Sequence, residues 1–182
     1  RFFDDIKTIM PREAYLELAG TGVYRVILGL LYKIMFSTYV YQMLSALKNT
    51  GTLTYSVKYM YLYTLYLFFD FAGYSLMAVG TSNILGIQTP MNFNKPFLSI
   101  DIKDFWTRWH ITLSTWLRDF VFSRVLMNAM KKKLFKSRLQ NASFAYMVNM
   151  CVMGFWHGLS ISYVIYGVYH GFLMAGFEWY QK

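Results

Sequence analysis

From Leu139 to Phe177 the chain runs for 39 residues without a formal charge, between Arg138 and Glu178. A single bilayer crossing takes about 20 apolar residues, so this run has room for two crossings, or for one crossing and a re-entrant turn. Two earlier stretches behave alike: Ile34 to Leu47 is uncharged, and Tyr59 to Gly80 is interrupted only by Asp70. Charged residues make up 15% of the chain and hydrophobic ones 56%, whereas soluble domains carry about 25% charged residues. Membrane segments are therefore expected near 20–47, 55–82, 142–160 and 161–180. The expected fold is an all-α, polytopic helical membrane protein in which 1–182 forms a single membrane domain. Cys151 is the single cysteine, which excludes an internal disulfide or a CxxC framework. No signal peptide is visible and the first residue is Arg1, so the chain is expected to be a piece of a longer polypeptide.

The charge is as uneven as the hydropathy. Between Asp101 and Arg138 lie nine Lys and Arg against three acids, two thirds of the net +9. Such a concentration beside membrane segments marks a cytoplasmic connection, and "KKKLFKSR" is its centre. Topology and anionic lipid headgroups explain it before a nucleic-acid backbone is needed, so no nucleic-acid partner is expected.

Inside this connection sits "DFWTRWHITLSTWLRDF", residues 104–120. At about 100° per residue Trp106, Trp109, Leu113, Trp116, Leu117 and Phe120 share one arc, and the polar residues lie mostly opposite. The pattern predicts an amphipathic helix that lies at the interface, where tryptophan finds both an apolar bed and a hydrogen-bond partner. Continued without a break it would turn Arg124 onto the greasy arc, which predicts a bend near Phe120 to Arg124. His110 falls within the apolar arc, where desolvation favours the neutral imidazole. A structural histidine bonded to a carbonyl and a working histidine both fit that position. Ahead of this helix, Pro90 and Pro96 with two asparagines predict a surface or re-entrant loop over 91–105.

Three further polar residues interrupt apolar segments. His157, in "GFWHG", lies 16 residues past Asn141, or about 24 Å at helical rise. An ionisable group at that depth is costly and marks a functional site or a polar bridge between helices. Its neighbours Gly154 and Gly158 admit close approach by a backbone or a substrate. His170, 13 residues on, would be about 20 Å away on a continuous helix and is expected to be structural or to line a cavity. Asp70 needs a cation, with Arg108 or Arg118 as candidates. Arg25 and Lys33 either pair or snorkel, and spacing does not choose.

These residues offer interior histidines, one carboxylate and hydroxyls, with no metal-ligand spacing, phosphate loop, Rossmann fingerprint or GxSxG turn. A neutral histidine in a partly wet cavity suits proton abstraction from a hydroxyl that attacks an acyl carbonyl. The run "NFNKPFLSIDIKDFWTRWHITLSTWLRDFVF", followed by "MGFWHG" and preceded by "FDFAGYSLMAVG", resembles the core of the membrane-bound O-acyltransferase (MBOAT) family. Its continuation "FSRVLMNAMKKKLF" is most similar to the branch that moves D-alanine toward teichoic acid. The glycine-rich stretch usual after this helix in alginate-acetylating members is missing.

The resemblance implies a multi-pass enzyme of the bacterial cell membrane, of which this chain matches the second half. It implies transfer of D-alanine from a phosphopantetheine thioester, carried by a small acidic DltC-like protein, to a hydroxyl. No cofactor is expected to be bound to the chain itself, and no metal. DltD-like membrane proteins and lipids are the further expected partners. Carried onto this chain, His157 matches the catalytic histidine and His110 the second functional position. Asp70, Trp106, Trp109, Trp156 and Asn94 become candidates for the substrate tunnel, and Arg108, Arg118, Arg124 and Lys131 for carrier docking. Cys151 is a weaker candidate for a covalent relay. The rival readings are another MBOAT enzyme that acetylates a cell-surface polysaccharide, a haem-binding electron carrier using histidines as axial ligands, and a noncatalytic scaffold subunit.

Overall fold

The computed structural model describes residues 10–182, so residues 1–9 of the expected membrane domain lie outside it. Among the described residues all regular structure is helical. The chain divides into two compact units, Arg1–Asn92 and Phe93–Lys182.

The first unit is a pair of long helices. Helix α1 (Arg12–Leu30) passes through a wider π-helical turn (Leu31–Phe36) into α2 (Ser37–Ser45), and α3 (Leu53–Ile84) returns antiparallel to it. The continuous stretch Arg12–Ser45 and helix α3 are the two, among the described residues, that are long and apolar enough to cross a membrane. Thr52 opens α3 by accepting a hydrogen bond from the Tyr55 amide, the usual N-terminal cap. Glycine sets the distance between the two helices. A Cβ on Gly22 would stand 2.6 Å from the carbonyl oxygen of Gly80, and one on Gly29 would stand 2.7 Å from that of Gly73. Small residues at such crossings let backbones touch where lipid offers no hydrophobic drive for association.

Polar contacts flank these glycine contacts. Asp70 is paired with Lys33, Nζ to Oδ1 2.5 Å. The expected arginine partners are thus replaced by a lysine on the neighbouring helix, because the antiparallel register brings residue 33 beside residues 70 and 73. With its amide oriented to satisfy its neighbours, Asn83 accepts from Arg25 at 2.5 Å and donates to the carbonyls of Val79 and Ile87. Both cations in α1 and its π turn therefore have partners across the helix pair.

The second unit begins in the proline-rich loop, which holds only one 3-10 turn, Pro96–Leu98. Helices α4 (Ile102–Arg108) and α5 (Ile111–Leu117) follow, then a π-helical turn (Arg118–Phe122) and α6 (Ser123–Lys131). Helices α7 (Arg138–His157) and α8 (Ile161–Tyr180) form an antiparallel hairpin. Trp106, Leu117, Met150, Met153 and Met174 are the buried centre of this unit.

Candidate functional site

The segment expected as one amphipathic helix is two helices. Asp101 caps α4 by accepting from the Asp104 amide at 2.8 Å. The helix ends at Arg108, and His110 sits in the left-handed region at φ 46°, ψ 52°. That conformation is uncommon outside glycine, although histidine is among the residues that tolerate it. The carbonyls released at the break are satisfied: Asn94 donates its amide to Arg108 O at 3.0 Å, and Ser114 donates its hydroxyl to Trp109 O at 3.1 Å. The loop and the following helix thus stitch the break closed, and His110 stands at the head of α5 instead of on a helical arc. Further along, the helix widens over Arg118–Phe122, which adds rotation where a bend was expected. Arg124 then lies over the Phe120 ring at 5.7 Å.

His157 is the last residue of α7 and is exposed. Gly158 follows at φ 154°, a backbone open to glycine alone at no steric cost. Ser160 then precedes α8, so His157 and His170 do not share the continuous helix assumed in their expected 20 Å separation. Glycines fix the hairpin's register: a Cβ on Gly154 would lie 2.4 Å from Tyr163 O, and one on Gly167 2.6 Å from Met150 O. At the opposite end, Ser137 and Gln140 form a reciprocal capping box that starts α7 directly after the basic loop.

This register brings the histidines into one neighbourhood. The His110 ring meets Trp156 edge-on at 6.0 Å, and Trp156 meets His157 at 5.0 Å. Tyr163 stacks on His157 at 5.6 Å and Tyr166 meets it edge-on at 5.6 Å. Tyr166 also touches His170 at 4.6 Å, whose ring packs on Trp106 at 5.2 Å. Burial pushes the His110 imidazole below its ordinary pKa, and nearby His157 pushes it the same way. A neutral ring results at neutral pH.

The other candidates have distinct places. Trp106 is buried, and Trp109 stacks on Phe105 at 5.6 Å with Phe93 edge-on at 5.1 Å. Trp156 is 60% exposed. Arg108 binds Asp104 at 2.8 Å, which holds that carboxyl below its usual range, and Arg118 binds its neighbour Asp119 at 2.9 Å. Lys131 ends α6 in the open. Cys151 is half-buried against Gly167. Asp70 belongs to the first unit. A cavity of about 390 Å³ is lined by Trp106, Ser114, Arg118, Tyr146 and Asn149 among others, but not by His110 or His157.

Several residues went unnoticed in the sequence. Tyr163 and Tyr166, three apart on α8, are the rings that hold His157. Lys103 pairs with Glu178 and hydrogen-bonds Gln181 at 3.0 Å, tying α4 to the end of α8. Among the described residues no three His, Cys, Asp or Glu side chains gather as a metal site requires.

Comparison with known proteins places this arrangement. The model of the membrane-bound O-acyltransferase family matches residues 7–181. The chain is 44% identical over its whole length to a teichoic acid D-alanyltransferase of Bacillus subtilis and 43% identical to that of Streptococcus thermophilus, covering 47% and 46% of those proteins. A probable alginate O-acetylase of Pseudomonas aeruginosa is 40% identical over 113 residues, 62% of this chain and 20% of that protein. The chain thus spans less than half the length of these relatives. With the RWH and WHG segments folded against one another and the match running through nearly every described helix, the chain belongs to the membrane-bound O-acyltransferase family.

Proposed function

We propose that this chain is the catalytic half of a multi-pass membrane enzyme that moves D-alanine from a carrier-bound phosphopantetheine thioester to a hydroxyl, toward teichoic acid. The observation that carries the reading is the joining of His110 and His157 through Trp156, in a chain 44% identical to a teichoic acid D-alanyltransferase. In this reading α7 and α8 cross the bilayer, as do the helices of the first unit. Neutral His157 takes the proton of the acceptor hydroxyl as its oxygen attacks the thioester carbonyl. The tetrahedral intermediate collapses with cleavage of the C–S bond, and the imidazolium returns its proton to the departing thiolate. His110 orients the arm or its carbonyl, and Trp109 and Trp156 line the approach.

The carrier docks on α6. Met127 and Met130 are 62% and 46% exposed beside Arg124 and Lys131, an apolar centre with a basic rim. Such a rim steers an acidic partner. Arg108 and Arg118, already bound to carboxylates, have less charge to offer it.

The test is His157→Ala in the complete protein, with D-alanyl carrier as donor. Transfer is expected to fall by at least about 100-fold, the worth of a general base, with thermal unfolding unchanged. Full activity would remove the assignment. The alginate O-acetylase relatives favour a second reading, acetyl transfer to a polysaccharide. Supplying acetyl and D-alanyl donors in parallel separates the two by which one is consumed.

A further inference from the structure

His157 ends its helix, and among the described residues its ring has no hydrogen-bond partner. Its surroundings are aromatic: Trp156 beside it in the chain, and Tyr163 and Tyr166 from the facing helix. A histidine on the last turn before a glycine has a loosely restrained backbone. The two tyrosines meet it from different directions, one ring nearly parallel at 21° and the other perpendicular at 89°. A parallel contact restrains tilt, and a perpendicular one restrains rotation about Cβ–Cγ. Gly158 bears on the same contact: a Cβ there would stand 3.0 Å from both Cδ2 and Cε2 of Tyr163. A side chain at 158 would therefore push the stacking ring away from His157, in addition to straining the backbone.

We propose that Tyr163 and Tyr166 are positioning residues that fix the His157 imidazole, and that position 158 is glycine partly to leave room for the Tyr163 ring. The inference rests on His157 being the general base. Orientation matters because a displacement of about 1 Å can lower a rate about 100-fold. The contact is made by ring faces and edges, so the ring and not the phenol hydroxyl carries it.

The experiment uses the complete protein in detergent, with D-alanyl carrier as donor. Tyr163→Leu is expected to lower kcat by about 10- to 100-fold while KM for the carrier stays within about twofold. Tyr163→Phe, which keeps the ring, is expected to recover kcat to within about threefold. Gly158→Ala is expected to follow Tyr163→Leu. Modification of His157 by diethyl pyrocarbonate, mapped by mass spectrometry on folded protein, is expected to speed up in Tyr163→Leu and not in Tyr163→Phe. Tyr166→Leu supplies the same readings if Tyr163→Leu does not fold. The proposal is overturned if the leucine variants keep kcat, if only KM changes, if Tyr163→Phe is as poor as Tyr163→Leu, or if His157 reactivity does not move. A fully active His157→Ala would sink the general-base reading itself, whereas an inactive His157→Ala beside an active Tyr163→Leu would sink the clamp alone.

Discussion

Gly167→Ala tests the hairpin that carries His157. The added Cβ would lie 2.6 Å from Met150 O and 3.1 Å from Cys151 Cα. The first distance is 0.8 Å short of the 3.4 Å at which ordinary contact begins. Both obstacles are backbone, so no rotamer change relieves them and α8 must move away from α7. Overpacking of this kind costs about 1–3 kcal/mol, partly offset by about 1 kcal/mol of helix propensity gained over glycine. The net destabilisation is then about 0–2 kcal/mol, small enough to leave the protein folded. The rate is the more sensitive reading, because the displaced helix carries Tyr163 and Tyr166 away from His157, and a shift near 1 Å lowers rates up to about 100-fold. Gly176→Ala is the control on the same helix, with nothing within 4 Å of its Cβ. It is expected to gain about 0.5–1 kcal/mol with unchanged kcat. Unfolding temperature in one detergent and single-turnover transfer from the D-alanyl carrier read the two effects. If Gly167→Ala matches Gly176→Ala in both, the glycine contact does not set the register of the site.

Asp70→Asn should destabilise the first unit by about 1–2 kcal/mol, below the loss for a fully buried pair because both side chains are about a third exposed. Lys33→Met with Asp70→Leu should cost less than either single change, and a double-mutant cycle without coupling would disprove the pairing. The depressed pKa of His110 means the unfolded chain binds the proton first as pH falls. Its contribution to stability is present above about pH 6.5 and is lost below it toward the folded pKa. His110→Gln should flatten unfolding curves between pH 7 and 5, and an unaltered slope would contradict burial of the ring. Asp101→Ala removes the cap of α4 and should cost about 1 kcal/mol, seen as a lowered unfolding midpoint, whereas Asp101→Asn should retain most of it.

The helices were legible because their apolar lengths and the proline-rich loop between them are properties of local sequence. The break at His110 was not, since the apolar spacing from Trp106 to Phe120 continues as if the helix did. Its causes lie at a distance, in the Asn94 amide and the Ser114 hydroxyl that satisfy the released carbonyls. Asp70 announced its need for a cation, but choosing Lys33 required the antiparallel register set by Gly22, Gly29, Gly73 and Gly80. The turn between His157 and His170 did leave a signal: glycine at 158 and serine at 160 are an ordinary helix stop and start. The long uncharged run concealed it. Tyr163 and Tyr166 read as two more apolar residues until the hairpin placed them on His157.

The wide turn at Leu31–Phe36 makes chain length itself a determinant of the first unit. Losing any one residue there would close the turn into an ordinary α-helical one and swing everything before it by about 100° around the axis. Gly22 and Gly29 would then point away from their counterparts on α3, and Arg25 from Asn83. Within those six positions side chains can be exchanged more safely than a single residue can be removed.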